Sequence, residues 1–184
     1  MKTIKQILFS FWETLKIVIL ALAIALPIRY FIFQPFVVQG ASMEPNFQQG
    51  NYLIVDEISY RFHSPQRGEV IVFKYPQNPS VKFIKRVIGL PGEKIKFENN
   101  KIIVINQQGE SIVLNEKNYL EELIFLTDKE FIVPKGQYFV LGDNRLHSYD
   151  SKNWGAVPKD NIIGKVFLRL FPIAKISDFP VPAY

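Results

Sequence analysis

The sequence predicts a mainly β protein: an antiparallel sheet or β-barrel-like domain preceded by one N-terminal transmembrane helix. Two observations carry this reading. Residues 15–33 are apolar apart from Lys16, Pro27 and Arg29. Beyond them, short β-branched and aromatic runs alternate with clusters of Gly, Pro and Asn. A chain of 184 residues, 48% of them hydrophobic, has room for one domain with a buried core and is not a disordered polymer.

At about 1.5 Å per helical residue, the run 15–33 spans roughly 28 Å, close to the hydrocarbon thickness of a bilayer. Lys2, Lys5 and Lys16 precede or open the run against one acid, Glu13. The positive-inside rule then places residues 1–14 in the cytoplasm and 34–184 across the cell membrane as a single-pass protein. Trp12 and Tyr30 suit the two interfaces, and Arg29 is placed to snorkel outward. Ala21-Leu22-Ala23 and Ala23-Ile24-Ala25 resemble the cleavage sites of a removable signal peptide. They lie inside the apolar run, however, whereas a signal's apolar region ends just before its cleavage site. A core helix of a soluble protein is the other reading, which the run's length and all-round apolarity disfavour.

The strand-like runs follow in order. They are 36–38, 52–55 after Gly50-Asn51, 69–75 after Arg67-Gly68, and 81–88 before the Leu90-Pro91-Gly92 turn. Residues 94–97, 101–105, 111–114, 131–133, 138–141 and 165–170 complete the set. Only 115–130 is ambiguous, reading as a short helix or as a loop with a helical turn. No repeat or low-complexity linker divides residues 34–184, so they form one all-β domain.

The net charge of +5 comes without a dense Lys/Arg block or a base-reading motif, which argues against nucleic acid. The absence of cysteine excludes disulfides, thiolate catalysis and cysteine zinc sites. His63 and His147 are too far apart for a recognisable zinc motif. No metal and no other cofactor is expected.

Three segments bear chemistry. Ser42 begins a turn closed by Pro45, and Gly40 and Ala41 leave space for close approach. Most serines in such turns simply belong to the turn. Lys85 shares a strand face with Phe83 and Val87, while Ile84, Arg86 and Ile88 share the other, where Arg86 is free for a salt bridge or solvent. A lysine among apolar neighbours has its amine pKa lowered by desolvation, and a neutral amine is able to deprotonate a serine. An exposed strand lysine is the ordinary alternative. The third segment, 142–152, concentrates Asp143, Arg145, Ser148, Asp150 and Lys152 after a strand. It reads either as a turn held by its own hydrogen bonds or as a buried network. In the network, Asp143 and Asp150 pair with Arg145 and Lys152, and Ser148 bonds the lysine amine.

Taken together, the apolar anchor, 33–36, 40–45, 67–73, 85–92 and 142–145 with Ser148, Asp150 and Ser151 resemble bacterial type I signal peptidases in the same order. The resemblance covers essentially the whole chain. Each motif is weak alone, and their order supplies the specificity. It implies a membrane-bound serine endopeptidase that removes N-terminal signal peptides from exported preproteins, after small residues at −1 and −3. Ser42 then matches the nucleophile, Lys85 the general base, and Ser148 the residue that orients the amine. Asp143, Arg145 and Asp150 match the supporting loop. Phe36, Val38, Met43, Phe83 and Ile84 match positions that shape the substrate pockets. The implied partners are preprotein signal peptides and the lipid bilayer, with a place near the secretion translocon.

The chain departs from the family pattern at four positions. Gly40 has no hydroxyl where some members carry a serine that serves the oxyanion hole, so that donor is absent or comes from elsewhere, and the Ser42 N–H is one candidate. Leu146 replaces a frequent acid, Lys152 replaces a frequent arginine, and His147 falls at a variable place. A lysine does not make the bidentate carboxylate pair of an arginine. A Ser-His-Asp triad through His147 and a non-cleaving membrane-anchored β module are rival readings. So is a self-cleaving repressor-type peptidase, whose DNA-binding head is missing here.

Overall fold

The computed structural model describes residues 3–31, 33–120, 128–173, 177–178 and 182. The apolar N-terminus is helical from Ile4 to Phe31 (α1), beginning well before the expected 15–33. Its most apolar window is Gln6–Ala23, with mean hydropathy 1.6 and none of it buried against protein. That exposure removes the reading as a core helix. Among the described residues, α1 is the single helix long and apolar enough to cross a bilayer.

The strands are β1 (Phe33–Val37), β2 (Tyr52–Asp56), β3 (Val70–Tyr75), β4 (Asn78–Gly89), β5 (Lys94–Glu98) and β6 (Lys101–Ile105). They continue as β7 (Ser111–Val113), β8 (Lys129–Ile132), β9 (Gln137–Leu141), β10 (Val157–Pro158), β11 (Ile162–Phe171) and β12 (Ser177–Asp178). Two short helices, α2 (Ser59–Phe62) and α3 (Ser151–Trp154), and a 3-10 turn at Lys159–Asn161 interrupt them. The larger sheet runs β1-β2-β11-β3-β4-β9-β10 with β12 on β11, and the smaller runs β7-β6-β5-β8. All pairings are antiparallel.

The larger sheet is open, which corrects the barrel-like expectation: β1 and β10 are its two ends and do not pair. Each end strand contains a proline, Pro35 or Pro158, which withholds a ladder donor and suits an edge. The apolar run of β3 follows from a sheet covered on both faces. Val70 and Val72 pack with Val38, Met43, Phe47, Leu53 and Ile84. Ile71 and Phe73 pack on the opposite side with Val87, Tyr138, Val140 and Val157. Ile88, Phe139 and Leu141 share a third cluster with Ile95, Phe97, Ile102 and Val104, which joins the smaller sheet to the larger.

Of the ambiguous stretch 115–130, residues 117–119 form a turn, and 121–127 lie outside the described residues.

Candidate active site

Val38 follows β1 and is tied to the far end of the next loop, donating to Asn51 O at 3.0 Å and accepting from Gly50 N at 2.9 Å. Between them Met43 and Phe47 insert into the core, and Phe47 N donates to Met43 O at 2.8 Å. Ser42 therefore stands on a turn whose next residue is anchored. At Gly40, φ is +81°, a value that side-chain-bearing residues rarely adopt.

Lys85 lies on β4, paired with Ile71 of β3, and is 3% exposed. Its Nζ is 2.6 Å from Ser42 Oγ and 3.0 Å from Ile84 O. The Phe83 ring centroid is 5.3 Å from the amine. Burial lowers the Lys85 pKa from 10.5 to about 8, against the opposing pull of Asp150 and Asp143. A substantial fraction is thus neutral near pH 8, and a neutral amine accepts a proton from the hydroxyl it touches.

The loop after β9 holds this pair from behind. Asn144 N donates to Ser42 O at 3.1 Å, and Asn144 Nδ2 donates to Ala41 O at 3.2 Å. Gly142 packs so closely that an added Cβ would fall 2.3 Å from Ser42 O and 2.2 Å from Ser148 Oγ. Asp150 is fully buried and accepts from Gly142 N at 3.1 Å and Lys152 N at 3.1 Å. The same carboxylate caps α3.

The buried ion pairs differ from those expected. Asp143 pairs with Arg86, not Arg145: Arg86 Nε and Nη2 donate to its two oxygens at 2.9 and 2.7 Å. Arg145 pairs instead with Glu116, through two bonds of 2.7 Å. The Asp150–Lys152 pair forms as expected, at 3.3 Å. Arg86 takes the salt bridge and not the solvent, since it is buried. Two planar guanidinium–carboxylate forks are satisfied better in this exchange than two adjacent groups on one turn would be. Asn46 Nδ2 joins the first pair to the Ser42 turn by donating to Asp143 Oδ2 at 2.8 Å.

Ser148 Oγ is buried and makes no hydrogen bond with any described group, so the expected bond to the lysine amine is not formed here. His147 Nδ1 lies 3.2 Å from Asn144 Oδ1, an amide and not a carboxylate, so the triad reading lacks its third member. Arg86, Glu116, Asn46 and Asn144 were missed as supporting residues. Arg86 had a signal, a charge on the buried face of a strand, but Glu116 had none.

A cleft of about 650 Å³ opens at the pair. Phe36, Gly40, Ala41, Val81, Phe83 and Ile84 line it. Of the expected pocket residues, Phe36, Phe83 and Ile84 face the cleft. Val38 and Met43 do not. Both are 1% exposed and form the core beneath it, with Phe36 and Ile84 packed against them. His147 and Tyr149 also line the cleft and were not anticipated as substrate contacts.

A serine hydroxyl held against a buried amine in an open cleft is the equipment of a serine peptidase, a hydrolase. The comparisons agree with that class. The family model for signal peptidase, peptidase S26, matches residues 11–171. A signal peptidase I of Leptolyngbya laminosa is 38% identical over 181 residues, covering 94% of this chain and 86% of its own. A probable signal peptidase I-1 of Synechocystis sp. is 37% identical over 170 residues, covering 89% and 84%. A crystal structure of a signal peptidase I from Enterococcus faecalis aligns with TM-score 0.47 at 30% identity, over 56% of this chain and 97% of that one. The chain belongs to the signal peptidase family, peptidase S26. Its activity is the removal of signal peptides by a serine peptidase, and the family is membrane-associated.

Proposed function

We propose that Ser42 is the nucleophile and Lys85 the general base of this peptidase. The single observation that carries the reading is the 2.6 Å contact between Ser42 Oγ and a Lys85 amine that is almost fully buried. In the neutral state of the amine, the Ser42 hydroxyl donates to its lone pair. As Oγ attacks the scissile carbonyl, its proton passes to Nζ and a tetrahedral oxyanion forms. The Ser42 N–H is a candidate donor to that oxyanion, and loss of one such donor costs roughly 3–4 kcal/mol in a measured protease. The protonated lysine then gives its proton to the leaving amine, which frees an acyl-enzyme on Ser42. Water hydrolyses the ester with Lys85 again as the base.

Phe36, Phe83 and Ile84 bound the space where the −1 and −3 side chains lie, backed by Val38 and Met43. Bulk behind these walls restricts both positions to small residues. Asp143, Arg145 and Asp150 fix the loop on which Gly142 and Asn144 hold the Ser42 turn.

The helix α1 (Ile4–Phe31) anchors the chain in the cell membrane, the residues before it lie in the cytoplasm, and those after it form the extracytoplasmic catalytic domain. The substrate's signal peptide reaches the cleft from the bilayer, close to the secretion translocon. Ser42→Ala and Lys85→Ala should each abolish cleavage of a preprotein with small −1 and −3 residues, with circular dichroism unchanged. Near-normal turnover by a Lys85→Ala enzyme would overturn the dyad.

A further inference from the structure

A second cavity, of about 400 Å³, opens on the domain beside the point where the chain leaves α1. Arg61, Lys74 and Lys82 line it, together with Glu57, Asp160 and Gln34. Gln34 follows the helix end at Phe31 by so few residues that even a fully extended chain separates them by only about 11 Å. Headgroup layers flank the hydrocarbon core by about 5–8 Å on each side. On the membrane-anchored reading proposed above, this cavity therefore lies within reach of the headgroup layer.

The surface around it is built and not frayed. The Asp56 carboxylate accepts from Ile58 N and Ser59 N at 3.0 Å each, which fixes α2 on the end of β2. Tyr60 turns inward and donates to Glu69 Oε2 at 2.8 Å. This leaves Arg61 facing the cavity and Phe62 projecting outward, 77% exposed. Lys74 and Lys82 are cross-strand neighbours on β3 and β4. Among the described residues, none of the three cations has a carboxylate within ion-pair distance, although two acids share the cavity.

Three unpaired cations beside two free acids suit a ligand that carries both a phosphate and hydroxyl donors. A choline headgroup has the phosphate but no donor. A glycerol headgroup has both, and its net negative charge is attracted by the cavity's cationic excess. We propose that this cavity binds a phosphatidylglycerol headgroup. The phosphate sits among Arg61, Lys74 and Lys82, the glycerol hydroxyls donate to Glu57 and Asp160, and Phe62 enters the acyl boundary beside it. Lys82 also lines the substrate cleft, so a bound headgroup fixes one of the cleft's own rim residues.

The test is native mass spectrometry of the full chain in detergent, with phosphatidylglycerol or phosphatidylcholine added. Wild type should retain one phosphatidylglycerol under conditions that strip phosphatidylcholine. The Arg61→Gln/Lys74→Gln variant should lose roughly fivefold in retention per cation removed. Neither residue lines the substrate cleft, so this variant should keep the wild-type melting temperature and cleavage rate in detergent. Equal retention of the two lipids by wild type, or unchanged retention by the variant, would overturn the proposal. Displacement of the lipid by millimolar inorganic phosphate would overturn it in favour of a small-anion site. Retention is read without substrate, so it fails or succeeds separately from the dyad. Release of the full chain from membranes by alkaline carbonate would instead show that the anchor reading is wrong.

Discussion

Lys85 is costly to the fold in the state that most chains adopt at neutral pH. Its pKa lies at about 8 in the folded protein against an ordinary 10.5, and burial is the cause. Between these values the unfolded chain binds more protons than the folded one, so stability rises with pH across that window. Below about pH 8 the full penalty remains, about 3 kcal/mol at 1.36 kcal/mol per pKa unit. Lys85→Met, which keeps the apolar stem and removes the amine, should therefore raise the melting temperature at pH 7 by roughly 5 °C or more while eliminating cleavage. A calorimetric scan beside a cleavage assay checks both halves. On the proposed dyad, the same titration governs the rate. With the protonated amine inactive as a base, kcat/KM should fall about tenfold per pH unit below pH 8 and level off above it. A profile that stays flat from pH 6 to 9 would show that the lysine does not act as the base.

At the scale of elements, the Ser42 turn depends on two buried ion pairs brought from distant segments. Glu116 lies on the 114–120 loop and Arg145 on the loop after β9, and each satisfies the other in a dry setting. Breaking a buried pair by removing one partner typically costs 3–5 kcal/mol, whereas replacing both with apolar residues costs far less. Glu116→Gln should accordingly lower stability by about 3 kcal/mol or more in urea denaturation. A double change of Glu116 and Arg145 to Met should recover most of that loss. These pairs also mark where sequence reading stops. Strand positions were legible because β3 and β4 declare themselves by runs such as Val70-Ile71-Val72-Phe73. The order of motifs shared with the family points to Ser42 and Lys85 together, and the structure brings them within 2.6 Å of each other. Partner choice was not legible. Asp143 and Arg145 are near neighbours in the chain and the sequence pairs them, yet the turn sends them to Arg86 and Glu116. Their geometry depends on which segments the sheet brings alongside. The same limit applies to Val38 and Met43, whose pattern marks them as near the site but not whether they face the cleft or the core. The two-residue β10 and the four-residue α2 and α3 were too short to leave a periodic signal.

For the molecule as a whole, the proposed topology makes a separable prediction. Protease added to the outside of intact spheroplasts should digest residues beyond the anchor and spare an epitope fused before Met1. Protection of the C-terminal domain instead would reverse the orientation. The wide sequence separation within the site has a further consequence. Ser42 and Lys85 come from different elements, and the loop that holds them comes from a third, after β9. Loop-closure entropy means that such contacts form only as the sheet completes. Until then the lysine is wet and protonated, and the serine is an ordinary alcohol. On the proposed dyad, the dehydration that finishes the fold is also what activates the hydroxyl, so cleavage activity is expected to appear only with the completed sheet.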